Sequence, residues 1–291
     1  MLYAVYLFAG LSIAGSLYSA LVHDAHVTNL RSRLPASAIS ALQSIPGFEI
    51  ADHHAAKPPA WLADKRNVLN QYGVKLAWLW TTLAFVTFVA ARIHAASRRS
   101  RTAEERAADA PLLIVRPIVR YALATLWWYL LTQSTWFGSS SAQAPSITQR
   151  VLEFSGAQCV APDGESGFMA ILEPELCRPG AVRAAAGAPR PYWHGGHDVS
   201  GHTFLLVHAS LFLVETIAPV LPAVLSKRGH GVAKTTRVTT AEQAATAFVL
   251  LLVTLWAVML LTTSVYFHTL PEKLSGLVFG LAGFMITSLV P

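Results

Sequence analysis

The sequence predicts an all-α integral membrane protein with six transmembrane helices. Of its 291 residues, 53% are hydrophobic and only 13% are charged, and the mean hydropathy is +0.44. A soluble domain of ordinary composition carries about a quarter charged residues. The apolar residues here fall into unbroken blocks close to the roughly 20 residues that cross a bilayer. We therefore expect one membrane domain that covers residues 1–291.

Six apolar blocks are long enough to span. The first has the position of a signal peptide, but it lacks a basic start and a small-x-small cleavage site, so we interpret it as a helix. The last contains Gly276-x-x-x-Gly280, a spacing that permits close packing against a neighbouring helix. The predicted spans are residues 3–21, 73–93, 112–131, 203–225, 244–266 and 274–290.

Basic residues predict the orientation of these spans. Loops 94–111 and 226–243 are short and rich in Lys and Arg, which is typical of cytosolic loops. Loops 23–72 and 138–198 are longer and mix in acidic residues, so they fall on the opposite side and both termini are cytosolic. The net charge of +6 is then explained by the cytosolic loops. No zinc-finger spacing, basic-aromatic platform or glycine-rich phosphate loop is present, so we expect no nucleic-acid partner.

Two cysteines, Cys159 and Cys177, lie in the same non-cytosolic loop. In an oxidising lumen they could form a disulfide, and the alternative is two free thiols.

Two histidines, His202 and His268, stand at span ends. His202 precedes the fourth span and His268 follows the fifth, so both must face the same, non-cytosolic side. Two imidazoles at one interface suit phosphoryl transfer, in which one attacks phosphorus and the other protonates the leaving oxygen. Asp198 either orients a histidine or caps the fourth helix.

Residues around the histidines are candidates for holding phosphate. Gly201 permits close approach of an anion to the backbone, and Ser200 is placed at a helix N-terminus, where capping alone would also explain it. Glu272 follows His268 by four residues and is interpreted as an exposed turn carboxylate rather than a tautomer-fixing partner. The candidate cations on this side, which could equally be snorkelling anchors, are Lys65, Arg66, Lys75 and Lys273. Arg116 and Arg120 lie near the cytosolic end of the third span and are excluded as ligands of this phosphate.

The fourth span carries two polar residues deeper in the bilayer, His208 and Glu215. A carboxylate there costs about 2.5 to 3.5 kcal/mol on insertion scales, so it needs a role. We expect either pairing between helices or contact with a polar lipid group. A zinc site of His197, His202 and His268 would lack a carboxylate or thiolate cluster, so we expect no metal and no cofactor.

Several blocks resemble the fat storage-inducing transmembrane (FIT) family, including its fungal Scs-type members. The similarity rests on the segments DKRNVLN (64–70), VKLAW (74–78), WHG (193–195), DVSGHTFLL (198–206) and VYFHTL (265–270), with Lys273 and Gly280. These blocks occur in the family's order. The family is in turn distantly similar to lipid phosphate phosphatases.

The resemblance implies a lipid-phosphatase-like bundle in the endoplasmic reticulum that supports lipid-droplet formation and lipid homeostasis. It also implies hydrolysis of fatty acyl-CoA to an acyl 4'-phosphopantetheine and adenosine 3',5'-bisphosphate, with His202 as the acid and His268 as the nucleophile. The phosphatases' arginine motif is not recognisable, and an extra residue between Trp193 and Asp198 leaves the role of His197 open. The alternative is a non-enzymatic protein that binds diacylglycerol or triacylglycerol in the membrane, using His208 and Glu215.

Overall fold

Eight α-helices form most of the structure, a computed structural model that describes residues 1–22, 61–64, 66–99, 102, 104, 111–133, 145–162, 169–178, 191–225 and 238–290. The helices are α1 (Leu2–Val22), α2 (Ala77–Arg99), α3 (Arg116–Thr132), α4 (Ile147–Phe154), α5 (Gly201–Ile217), α6 (Leu221–Leu225), α7 (Thr240–Tyr266) and α8 (Leu270–Ser288). Short π-helical segments, Leu69–Val74 and Pro111–Val115, precede α2 and α3. Two 3-10 turns cover Trp61–Ala63 and Pro174–Cys177.

Three of these helices are long and apolar enough to cross a membrane: α1, α2 and α7. Helix α5 is equally apolar but has only 17 residues. The sequence predicts one helix over 203–225, whereas the structure ends α5 at Ile217 and starts α6 at Leu221. Pro219 and Pro222 have no N–H group to continue the backbone ladder, which explains the break.

The last two long helices begin four residues before the predicted starts at 244 and 274. Each begins in a polar turn that an apolar pattern does not include. The backbone N–H of Thr239 donates to Glu242 Oε2 at 2.9 Å, and the N–H of Thr269 donates to Glu272 Oε2 at 2.8 Å. In each case the glutamate side chain accepts from the N-cap backbone, which is one of the two bonds of a capping box. The same capping motif therefore starts α7 and α8.

Helix α5 is the centre of the bundle and is surrounded by α2, α7 and α8. Gly276, Gly280 and Gly283 of α8 face it. A Cβ at Gly276 would lie 2.6 Å from the Ser200 carbonyl oxygen, and one at Gly280 would lie 2.9 Å from Val207. The close packing predicted from Gly276-x-x-x-Gly280 is therefore confirmed.

Helix α1 packs along α7 and α8. Phe8 is fully buried, and a Cβ at Gly15 would lie 2.6 Å from Ser264 Cβ. The first apolar block is thus an integral part of the bundle.

Residues 158–194 contain a small antiparallel sheet that the all-α prediction does not include. Strand β1 (Gln158–Pro162) lies between β2 (Met169–Leu172) and β3 (Tyr192–His194). A disulfide joins Cys159 of β1 to Cys177. The next residue, Arg178, hydrogen-bonds both carboxylate oxygens of Glu153 in α4, and these bonds raise the pKa of its guanidinium. The sheet is therefore tied to α4 and leads directly into the segment before α5.

Candidate active site

The N-termini of α5 and α8 meet, and this contact builds the candidate site. The backbone N–H of Ser200 donates to the Glu272 carbonyl oxygen at 3.0 Å. The N–H of Asp198 donates to Glu272 Oε1 at 3.3 Å. Because Gly276 has no side chain, α8 can approach α5 closely enough for these bonds to form.

His268 occupies the connection between α7 and α8. Its φ is +58°, a left-handed conformation that costs energy for a residue with a Cβ and that tends to occur at functional sites. The ring Nδ1 lies 3.6 Å from Glu272 Oε2 and 4.0 Å from Asp198 Oδ2. Both carboxylates therefore face one edge of the ring, and Nε2 points away from them.

Glu272 was predicted to be an exposed turn carboxylate, and this is wrong. Only 2% of the residue is exposed. It is buried because its carboxylate caps α8 and bonds the backbone of Asp198 at the same time.

His202 lies in the first turn of α5. Its Nε2 is 2.8 Å from Asn70 Oδ1. An amide oxygen only accepts, so Nε2 of His202 is the donor in this bond. Asn70 is 7% exposed and its own N–H donates to Asn67 Oδ1 at 2.8 Å, so the partner of His202 is firmly placed.

The structure brings His202 and His268 to the same end of the bundle. Asp198 approaches His268, and His202 follows it four residues later, at the start of α5. The two helix ends joined by Glu272 thus carry one histidine each.

Ser200 is the N-cap of α5. Its hydroxyl accepts from the Thr203 N–H at 3.3 Å and the residue is fully buried, so the role of this side chain is to cap the helix. The N-cap residue is thus Ser200 rather than Asp198, and Asp198 Oδ2 lies 4.0 Å from His268 Nδ1. Around Gly201, a Cβ would meet no atom of the described residues within 4 Å. The first turn of α5 is therefore open on the side of Gly201 among the described residues, and a helix N-terminus favours a nearby anion.

The proposed cations occupy different settings. Lys273 is 2% exposed and donates Nζ to the Ser264 carbonyl oxygen at 2.7 Å. Lys75 is exposed and donates to Gln71 Oε1 at 2.9 Å, while Arg66 is exposed and its backbone N–H bonds Asp64. Lys65 lies outside the described residues. Their assignment as phosphate ligands stays a prediction.

The two polar residues deep in α5 serve the bundle. Glu215 forms an ion pair with Arg120 of α3 and accepts from the Ser288 hydroxyl at 3.1 Å, which favours pairing between helices. His208 is fully buried, with its ring 5.3 Å from that of Trp78 and Nε2 3.1 Å from the Ala124 carbonyl oxygen. His208 therefore has no free surface for a lipid ester group.

His197, whose role the sequence leaves open, joins the sheet segment to α8. Its Nε2 is 2.9 Å from Ser275 Oγ, and its backbone N–H donates to Ser155 Oγ at 2.6 Å. No group of three His, Cys, Asp or Glu side chains able to hold a metal occurs within the part of the chain that the structure describes.

Comparison with known proteins assigns the chain to a family. The profile of the fat storage-inducing transmembrane protein (FIT) family matches residues 58–288, well over half of the chain. This chain is a FIT protein. The match includes both histidines and all helices except α1, and it agrees with a membrane protein built mainly from apolar helices.

Curated FIT relatives are similar over most of their length. Acyl-coenzyme A diphosphatase FITM2 of Mus musculus is 30% identical over 260 residues, 88% of this chain and 80% of the relative. The Bos taurus FITM2 is 32% identical over 78% of this chain and 71% of its own. Acyl-coenzyme A diphosphatase fit1 of Schizosaccharomyces pombe is 29% identical over 78% and 72%. No solved structure matches this chain.

The sequence analysis did not identify Asn70 as the partner of His202, and it considered Glu272 as a partner of His268 but favoured an exposed turn. Asn70 lies inside the family-like block 64–70, and its polar side chain just ahead of the second apolar span was the available signal. For Glu272 the signal was the Thr269-x-x-Glu272 capping pattern, which predicts a carboxylate folded back toward residue 269.

Proposed function

We propose that this FIT protein is a fatty acyl-CoA diphosphatase. It hydrolyses the phosphoanhydride of CoA to an acyl 4'-phosphopantetheine and adenosine 3',5'-bisphosphate. The observation that carries the proposal is the pair His202 and His268 at one end of the bundle, each with a polar partner on its ring. The relatives named acyl-coenzyme A diphosphatase support the choice of substrate.

The pair suits a two-step reaction. His268 Nε2 attacks one phosphorus atom of the pyrophosphate, the P–O bond of the anhydride breaks, and His202 gives its proton to the leaving phosphate oxygen. Water then attacks the phosphorus bound to His268, His202 takes a proton from that water, and the histidine is released. The division of roles follows the resemblance to lipid phosphate phosphatases.

Glu272 and Asp198 are proposed as positioning residues for His268. Their oxygens lie near Nδ1, so they favour the tautomer that keeps a proton there and a lone pair on Nε2. Asn70 is proposed to position His202 by accepting a hydrogen bond from its Nε2. Both histidines are then held for a substrate that fits between them.

The phosphate charge is proposed to lie against the N-terminus of α5. The open space at Gly201 allows an oxygen to approach the first N–H groups of the helix, where the dipole favours negative charge. Lys65, Arg66, Lys75 and Lys273 are the candidates for further neutralisation, with Lys75 and Arg66 the exposed ones among the described residues.

We further propose the location that the sequence predicts: six spans in the endoplasmic reticulum membrane, both termini cytosolic and the histidines luminal. The disulfide between Cys159 and Cys177 supports an oxidising compartment on the side of the sheet. The acyl chain would lie in the bilayer. Loss of this activity would disturb lipid-droplet formation and lipid homeostasis, and neutral-lipid binding is the alternative role.

Purified full-length protein in detergent tests the proposal. With oleoyl-CoA as substrate, mass spectrometry should detect acyl phosphopantetheine and adenosine 3',5'-bisphosphate in equal amounts. His202→Ala should lower turnover by about 10² to 10⁴ fold, the usual contribution of a general acid or base, and His268→Ala should lower it at least as much. His94→Ala is the matched control, because His94 is exposed on α2 and should leave turnover unchanged.

Full turnover by either histidine variant would refute the assignment. If the wild-type protein binds diacylglycerol or triacylglycerol and releases no product, the non-enzymatic alternative is correct. Each variant must first match the wild-type protein in membrane yield and thermal stability, so that loss of folding is not mistaken for loss of catalysis.

A further inference from the structure

A second polar region lies at the other end of the bundle. A cavity of about 290 Å³ opens between α2, α3 and α5. Its lining includes Arg92, Arg116 and Arg120, together with Glu215. At 1.5 Å per residue along α5, Glu215 is roughly 20 Å from His202, so this cavity is separate from the candidate active site.

The cavity carries excess positive charge. Arg120 pairs with Glu215, and Arg92 Nη1 lies 3.2 Å from Glu242 Oε1. Arg116 lines the same cavity, is exposed, and makes no ion pair with another residue that the structure describes. It stands one helical turn from Arg120, and like charges four residues apart on a helix repel. An anion at the mouth of the cavity would relieve this repulsion.

The rest of the wall is apolar. Phe85, Phe88 and Phe212 line the cavity, and all three are almost completely buried. A small hydrophilic anion would gain nothing from such a wall, whereas the first methylene groups of an acyl chain would. The volume is close to the lower end of the roughly 300 to 1,000 Å³ that small-molecule sites occupy, so it suits a headgroup and the start of a chain.

We propose that this cavity binds the phosphate headgroup of an anionic glycerophospholipid. Arg116 is the phosphate ligand, the Arg120–Glu215 pair forms the floor, and the phenyl rings contact the glycerol and the first acyl carbons. Basic pockets between membrane helices are a general way to hold such headgroups. The inference does not rest on the proposed hydrolysis, since the site contains neither histidine.

Native mass spectrometry of the purified full chain in neutral detergent tests it. The probes are dioctanoyl phosphatidic acid, dioctanoyl phosphatidylcholine and inorganic phosphate. Phosphatidic acid should bind saturably, at least about tenfold more tightly than the other two probes, because the site needs both a chain and a net negative headgroup. Arg116→Gln should weaken its binding about tenfold or more, while Arg98→Gln, at an exposed arginine of α2 that does not line the cavity, should not.

Three results would overturn the proposal. In the first, Arg116→Gln and wild type bind phosphatidic acid with equal affinity. In the second, the wild-type protein binds phosphatidylcholine as tightly as phosphatidic acid. In the third, inorganic phosphate displaces bound phosphatidic acid as effectively as unlabelled lipid does. The last would make this a free-anion site. Binding is measured without substrate, so the outcome is independent of whether acyl-CoA is hydrolysed.

Discussion

At the scale of single residues, His268 shows how the chain holds the residue that we propose as the nucleophile. Its left-handed backbone places the ring beside two carboxylates, and one of them, Glu272, is buried and bonded to the neighbouring segment. Glu272 also caps α8, and its carbonyl oxygen accepts from the Ser200 N–H at the start of α5. Both carboxylates lie on the Nδ1 side of the ring, at 3.6 and 4.0 Å.

The sequence indicated both histidines and named Asp198 and Glu272 as possible partners, but it did not indicate Asn70 and it favoured an exposed position for Glu272. His202 contacts Asn70 across 132 residues of chain, and no local pattern encodes such a pair. Glu272 was within reach of prediction, since it stands only four residues from His268. Its burial could not be predicted, because it depends on α5 and α8 meeting end to end.

Glu272→Gln tests whether this carboxylate positions His268. The amide keeps one capping oxygen but removes the charge next to Nδ1, so kcat for acyl-CoA should fall about tenfold or more, a loss of ~1.4 kcal/mol of transition-state stabilisation. KM should change less. The measurement is steady-state hydrolysis together with thermal unfolding.

Glu242→Gln is the matched control. Glu242 caps α7 as Glu272 caps α8, and both are almost completely buried. Among the described residues, however, the charged partner of Glu242 is Arg92 and that of Glu272 is His268. A similar loss of stability in both variants with loss of kcat only in Glu272→Gln supports positioning. Equal loss of kcat in the two would show that capping alone matters.

At the scale of elements, the contact of α5 with α8 sets the geometry of the site. Three glycines of α8 face α5, and the first of them touches the carbonyl of Ser200, two residues before His202. The distance between α5 and α8 at the candidate site therefore depends on the lack of a Cβ at Gly276.

Gly276→Ala should separate the two helix ends. The added Cβ would lie 2.6 Å from a backbone oxygen that cannot move without shifting α5. We expect a loss of about 1 to 3 kcal/mol of stability from overpacking and a clear fall in turnover, measured by thermal unfolding and hydrolysis.

Gly10→Ala is its control, because a Cβ at Gly10 meets no described atom within 4 Å. This change lies inside α1 and should leave turnover intact while stabilising the helix by up to ~1 kcal/mol. Wild-type stability of Gly276→Ala would contradict the packing described here.

Apolar blocks predicted the helices well and their irregularities poorly. Pro219 and Pro222 are the sequence signal for the break after Ile217. The surrounding residues are nevertheless apolar enough to suggest one continuous span. The sheet could not be predicted because its strands are only three to five residues long and because β3 pairs with β1 across a long stretch of chain.

At the scale of the whole molecule, polar groups lie at the two ends of a bundle with a tightly packed middle. Trp78 stacks on Trp128 at 5.5 Å and on His208 at 5.3 Å, which fills the space between the ends. The histidines lie at one end and the arginine-lined cavity at the other. The candidate active site and the proposed lipid site are therefore at opposite ends of the bundle.

The disulfide end should face the lumen. An engineered Asn-x-Ser/Thr sequon between Cys159 and Cys177 should be glycosylated when the protein is made in cells, because that modification occurs only on the luminal side. A sequon within residues 226–237 is the control and should stay unmodified. The readout is a mass shift removed by glycosidase, and the reverse pattern would invert the topology.

We propose that His202 and His268 act together on one pyrophosphate. The most direct test compares hydrolysis of oleoyl-CoA by wild type, both single alanine variants and the double variant. Groups that act as a unit are not additive, so the double variant should be about as slow as the slower single variant. If the two losses multiply, or if either single variant keeps full turnover, the histidines do not work on the same bond.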